Sequence, residues 1–179
     1  MLIKIEQMFN KFIDFLGNIL IVILLLMILN VFYDVVMRYA FHDSSIAMQE
    51  MEWHLFAILI LFGTSYSLKE NAHVRVDFLY DNFSEKTKAI INIVGTFMFL
   101  LPFTALIIYG SYPFVMDSYS INEISGDPGG LKYLWIIKAA IPVSFIVLFL
   151  EGINYIIKNI NILRGIEKAK KPDPQGALS

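Results

Sequence analysis

Four long apolar blocks alternate with polar stretches along the chain, and their lengths predict four membrane-spanning helices. A span needs about 20 apolar residues at about 1.5 Å of rise each. Residues of about 16–37, 48–68, 89–116 and 134–157 meet that requirement. The predicted fold is an all-α membrane protein: a single four-helix transmembrane domain over residues 1–157, then a basic, partly disordered tail over 158–179. Ahead of the first block, apolar positions 5, 8, 9, 12 and 13 recur at helical spacing around Lys4 and Lys11. That pattern predicts an amphipathic lead-in lying on the inner surface. A secretory signal does not fit, because the apolar run continues to Val36 and no small-residue cleavage site follows. Met1 to Ser179 is therefore expected to be the mature chain.

The polar positions inside and beside the blocks refine this picture. The first block contains Asn18, Asn30 and Asp34, and Asp34 shares a helix face with Arg38 four residues on. The second block is strictly apolar only from Trp53, so its helix is expected to start earlier, with Ser44 or Ser45 as N-cap. Glu50 and Glu52 then fall in its outer turns, where the helix dipole favours carboxylates. After it, Val74, Val76 and Phe78 alternate with Arg75 and Asp77, as in a short extended or interfacial piece. Ser84-Glu85 has the form of a helix start. The third block carries Pro102, where a kink is expected, and a strip of Asn92, Gly95 and Thr96 suited to close helix packing. Asp127-Pro128-Gly129-Gly130 is a turn signal. The fourth block has Lys138 in its first turns, Pro142 inside and Glu151 near its far end.

Composition agrees with a membrane protein: 57% of residues are hydrophobic and 17% charged, with a mean hydropathy of +0.63. Soluble domains run nearer ~45–50% and ~25%. There is no cysteine, which removes disulfides and thiol chemistry together. No basic patch interleaved with aromatics supports nucleic-acid binding. The placement of charge sets an orientation. Of the 14 Lys and Arg residues, 11 lie in the N-terminal segment, the second loop and the C-terminal tail; Arg38, Lys132 and Lys138 lie on the other side. The positive-inside rule then puts both termini in the cytoplasm and the first and third loops outside. On that reading Trp53, Trp135, Tyr39 and Tyr133 belong to the outer aromatic belt, and Tyr80 and Tyr155 to the inner one.

Candidate chemistry is sparse. His42, His54 and His73 are isolated, without the spacing of a metal or haem site, so no cofactor is expected. Ser65 and Ser67 have no histidine at their level, and no phosphate-binding glycine loop is present. No enzyme follows from this census. A self-sufficient carrier would want ionisable groups at the midplane, but Asp34, Arg38, Glu50, Glu52, Lys138 and Glu151 all fall toward span ends. Three hypotheses remain: an accessory scaffold subunit facing membrane lipid and a larger partner, a small oligomeric carrier or channel with a path through Asn18, Asn30, Asp34 and Asn92, and a membrane redox anchor.

A resemblance favours the first. Arg38-Tyr39-Ala40-Phe41, a serine at 44 or 45, and Glu50 and Glu52 entering the second span resemble the small, DctQ-type membrane subunit of TRAP (tripartite ATP-independent periplasmic) transporters. Gly63, the run His73-Val74-Arg75-Val76-Asp77, Glu123, Ser125, Trp135 and Ile141-Pro142 extend the likeness over roughly residues 15–157. The two acids stand two apart rather than adjacent, so both are carried as candidates. The resemblance implies a non-catalytic subunit that binds and braces a large membrane subunit and helps dock a periplasmic substrate-binding protein. The system would import a carboxylate or sugar acid. Arg38, Glu50, Glu52, His73, Arg75, Asp77, Glu123, Ser125, Trp135 and Lys138 are the candidates for structural or partner contacts. In the outer turn Arg38 is expected to pair with Glu50 or Glu52 to fix the first two helices, with Lys138 able to join them; solvated helix ends are the alternative.

Overall fold

A computed structural model describes residues 2–70, 72 and 82–165. Its helices are α1 (Leu2–Ala40), α2 (Ile46–Lys69), α3 (Glu85–Gly95), a π turn (Thr96–Leu100), α4 (Leu101–Ser120) and α5 (Trp135–Leu163). Among the described residues there is no strand. Four stretches are long and apolar enough to cross a membrane: Glu6–Ala40, Ile46–Lys69, Glu85–Ser120 and Trp135–Leu163. The third is built from α3, the π turn and α4 in line. The expected all-α, four-span architecture is the one observed.

The spans alternate in direction. The first residues of α1 meet the last turns of α5, and Asp14 of α1 meets Lys69 at the end of α2. The start of α1 and the end of α5 therefore lie at one end of the bundle, called here the tail end. Residues 41–45 and 121–134 form the loop end. The central helix is α5, which packs on α1, α2, α3 and α4.

The interior inverts the usual rule. Fully buried apolar side chains are few: Ile13, Leu68, Ala89, Val147, Leu148 and Tyr155. Buried polar ones are twice as many, including Glu6, Asp34, Ser65, Thr104, Ser144, Glu151, Asn154, Asn159 and Asn161. Large apolar residues such as Phe32, Phe99 and Tyr109 face outward. Lipid tails are as apolar as leucine, so helix contacts in a membrane select small and hydrogen-bonding side chains. Several buried hydroxyls are satisfied by their own helix: Thr104 donates to the Leu100 and Leu101 carbonyls at 2.9 Å, and Ser144 to Ile141 at 2.9 Å.

Several local expectations are sharpened or changed. The lead-in is no separate surface helix; it is the start of the 39-residue α1, about 58 Å long at ~1.5 Å per residue. It is drawn into the bundle because Glu6 and Ile13 are buried. The last helix runs through Leu163 rather than stopping at 157, because Asn159 and Asn161 are buried and hydrogen-bonded to Asn92 and Glu6. Tyr155 is not an inner-belt residue: it is 3% exposed and packs with Leu68 and Leu148 in the core. At Pro102 the chain forms the π turn, with the Leu101 N–H reaching back to the Thr96 carbonyl. The wider turn relieves the clash between the proline ring and the carbonyl four residues back. Ser84 is a true N-cap, accepting from the Thr87 N–H at 3.2 Å. Ser45 holds the N-cap position of α2 with no side-chain cap bond.

The strip expected at 92–96 is partly realised. Asn92 donates to Asn159 at 3.0 Å and Thr96 is buried, while Gly95 meets nothing. The tight approach is on the facing helix. A Cβ at Gly152 would lie 2.7 Å from Leu100 Cδ2 and 3.1 Å from Leu101 Cδ2. Gly152→Leu is therefore expected to wedge the third span off α5 and cost about 1–3 kcal/mol, the usual penalty for overpacking. A thermal melt of the purified protein in detergent, unchanged by the substitution, would show that this crossing is not close.

Candidate functional site

At the loop end, residues 121–134 form a closed structure whose backbone bonds come first. The Ser125 N–H donates to the Leu131 carbonyl at 2.9 Å and the Leu134 N–H to the Glu123 carbonyl at 3.0 Å. Between them, the Gly130 N–H donates to Asp127 at 3.0 Å, and Gly129 has φ +86°. Proline second and a left-handed glycine third make this a type II turn, as the Asp-Pro-Gly-Gly signal predicts. Tyr133, at φ +62°, turns the chain into α5.

Glu50, in the second turn of α2, fastens this loop. Its carboxylate accepts from the Ser125 hydroxyl and, at 2.6 Å, from the Leu131 N–H. The Ser125 hydroxyl oxygen also accepts from the Asp127 N–H at 3.1 Å. Gly130 lets these groups converge: a Cβ there would lie 2.5 Å from Ser125 Oγ and 2.7 Å from Glu50 Oε1. Beside the clamp, Lys138 pairs with Glu123 and lies 4.2 Å from the centre of the Phe114 ring. The Lys138 ammonium holds the Glu123 carboxyl below the ordinary carboxylate range. Trp135 meets Tyr119 edge-on, with ring centres 5.3 Å apart.

The sequence candidates thus divide. Glu50, Glu123, Ser125, Trp135 and Lys138 come together at the loop end. Arg38 pairs instead with Asp34 on its own helix, and among the described residues no ion pair joins it to Glu50 or Glu52. Asp34 is buried, so the nearby guanidinium compensates it more effectively than a partner across the bundle would. Lys138 joins Glu123, which lies closer along the chain, rather than the α2 acids. Glu52 makes no such bond: its Oε1 is buried without a hydrogen bond among the described residues. Of the two acids, Glu50 carries the interaction. His73, Arg75 and Asp77 lie outside the described residues.

A second polar assembly, at the tail end, was not singled out from sequence. Asn161 donates to Glu6 at 2.8 Å, and Asn154 to Asn10 at 3.1 Å and to Glu151 at 3.2 Å. These bonds form a ladder between α1 and α5. Lys69 ties α2 to α1 through Asp14, and Asn92 ties α3 to α5. The signal available was the spacing itself: Glu6 and Asn10 are four apart, and three asparagines recur within eight residues of an apolar helix. The hydroxyl–carboxylate pair of Ser125 with Glu50 is committed to the Asp127 and Leu131 N–H groups of the loop, and among the described residues no group of three His, Cys, Asp or Glu could hold a metal. What the geometry can do is fix helices and present a shaped loop.

Comparison with known proteins gives a consistent picture. The family model for the DctQ component of tripartite ATP-independent periplasmic transporters matches residues 27–161. The chain is 34% identical over 149 residues to a Haemophilus influenzae protein provisionally named a TRAP transporter small permease protein, covering 83% of this chain and 90% of that one. It is 28% identical over 148 residues to the sialic acid TRAP transporter permease protein SiaT of H. influenzae, covering 81% of this chain and 22% of SiaT. It is 25% identical over 140 residues to the ectoine TRAP transporter small permease protein TeaB of Halomonas elongata, covering 76% of this chain and 69% of TeaB.

Two outcomes are expected at the loop end. Glu50→Gln removes the charged acceptor, so hydrogen exchange at the Leu131 amide should accelerate several-fold while the spans stay protected; equal protection in both proteins would show that Glu50 does not hold the loop. The Glu123 pair sets a pH dependence. Its carboxyl is lowered in the folded protein, so its contribution is complete above the ordinary carboxylate pKa and is lost as pH falls through the lowered value. Proteolytic nicking of 121–134 should therefore rise in the native protein as pH falls through that lowered value, whereas Lys138→Met, which lacks the pair at every pH, should be nicked already at neutral pH without that dependence.

Proposed function

This chain belongs to the family of DctQ components of TRAP transporters, and we propose that it is the non-catalytic small permease subunit of a secondary importer, bracing a large membrane subunit. As a member of that family it is a transporter subunit and a multi-pass protein of the inner membrane. The observation that carries the proposal is the use made of its charged residues. Glu50 is spent on a loop, Asp34 on Arg38, and Glu6 and Glu151 on asparagines of the helix seam. A carrier would keep such groups for its substrate or coupling ion. The competing path through Asn18, Asn30, Asp34 and Asn92 loses three of its four members to contacts that join helices or pair locally.

The partner is a large TRAP membrane subunit. In SiaT the matching stretch is about a fifth of one permease polypeptide, and the remainder corresponds to what a separate subunit would supply here. Charge placement supports cytoplasmic termini, with the tail after α5 on that side, and puts 121–134 in the periplasm. A clamped, solvent-facing loop is a suitable surface for a periplasmic substrate-binding protein. The transported solute is a carboxylate or sugar acid, the class to which the sialic acid named for SiaT belongs.

Reconstitution tests this directly. Proteoliposomes containing this chain alone should take up no solute under an ion gradient. Uptake should appear when the cognate large subunit and binding protein are added, and the chain should copurify with the large subunit. Uptake by the chain alone would sink the proposal in favour of the independent carrier.

A further inference from the structure

Asn18 is the polar residue of the first span that the bundle leaves unused. Asn30 donates to the Met48 carbonyl at 2.9 Å and Asp34 holds Arg38, but Asn18 hydrogen-bonds to nothing among the described residues and is exposed. It lies one turn, about 6 Å at ~1.5 Å per residue, inside the level of Asp14. An amide facing hydrocarbon without a partner costs several kcal/mol by transfer reasoning, so lipid tails are a poor neighbour for it.

Asn18 lines a groove of about 470 Å³ between α1 and α2, walled by Leu20, Leu24, Leu59 and the Tyr66 ring. At its mouth Asp14 is already paired with Lys69, which leaves the Asn18 amide and the Tyr66 hydroxyl as the polar groups of the groove without a hydrogen bond among the described residues. Two glycines shape it. Gly17 admits the Tyr66 ring, which would lie 2.8 Å from a Cβ there. Gly63 has no atom within 4 Å of its would-be Cβ, so another backbone can come close. The other groove, of about 550 Å³ between Trp53, Phe56, Phe114 and Ile141, makes no such demand: apart from Lys138 its lining is apolar and lipid satisfies it.

The geometry points to the α1–α2 groove as the seat of a transmembrane helix of the large membrane subunit, with Asn18 hydrogen-bonded to a polar side chain of that helix. The occupant must be helical, because its own backbone polar groups have to be satisfied at that depth. It belongs to the large subunit rather than a second copy because SiaT joins the matching stretch to a longer permease in one polypeptide. This inference rests on the subunit reading above.

The chain has no cysteine, so single-cysteine probes are clean. Asn18→Cys and Leu59→Cys mark the groove; Phe99→Cys and Tyr109→Cys mark the outward face of the third span, 74% and 85% exposed. Each is co-expressed in native membranes with the cognate large subunit carrying a panel of cysteines in its spans, then treated with a short bifunctional maleimide. Crosslinks to the large subunit are expected from positions 18 and 59 and not from 99 and 109. In parallel, Asn18→Leu should reduce copurification several-fold and Asn18→Gln should restore it, which a purely steric wall would not show. Crosslinks only from 99 and 109, crosslinks between two copies of this chain through the groove, or intact copurification without groove crosslinks would each overturn the inference while leaving the subunit reading standing. Failure of the unaltered chain to copurify would overturn both.

Discussion

A polar side chain on a membrane helix cannot fall back on water, and that constraint decides which faces of these four spans meet. Apart from Ile13 and Ala89, the residues that bury most completely are acids, amides and hydroxyls, many of them on α5. Glu6 and Asn10 of α1 reach Asn161 and Asn154, and Asn92 of α3 reaches Asn159. Burying leucine against leucine gains little when the alternative is lipid. Pairing an amide with a carboxylate gains more, because the alternative is an unsatisfied group in hydrocarbon. So α5 became the hub by carrying the asparagines, not by being the most apolar helix.

The same economy separates inside from outside. Once most charges and amides are consumed between helices, the exposed faces of the spans are chiefly Phe, Ile, Leu, Met and Tyr, with the Asn18 amide an exception, and they suit lipid or another membrane protein. Tight joints add rigidity: the Gly152 crossing leaves no slack, and the π turn at 96–100 sets the third span against it.

Much of this was legible in the sequence, and the rest was hidden for a physical reason. Span positions follow from hydropathy, and the type II turn from Asp-Pro-Gly-Gly, because both are decided within a few residues. The Asp34–Arg38 pair was legible on the same ground. Glu50 with Ser125, 75 positions apart, was not, and neither was Asn161 with Glu6 at 155. Such pairs depend on how helices are rotated about their axes, which a one-dimensional pattern does not fix. Tyr155 shows the error in small. The aromatic-belt rule speaks to depth in the membrane, whereas the burial of Tyr155 is a matter of which face it occupies.

Rotation also links the two ends of the bundle. The loop at 121–134 takes its shape from its own turn, but its position comes from Glu50 on α2 and Lys138 on α5. Those helices are held at the opposite end by Lys69 with Asp14 and by Asn154 and Asn161 with α1. A shift of α2 against α5 would have to pull the Glu50 carboxylate from the Leu131 N–H or carry the loop with it. Because the Ser125 hydroxyl bonds both Glu50 and the turn, the loop moves as a unit. The groove at Asn18 is also walled by α2, so a helix seated there bears on the same element that fixes the loop. On the proposed seating, a partner helix in the groove and the loop surface share one helix, α2.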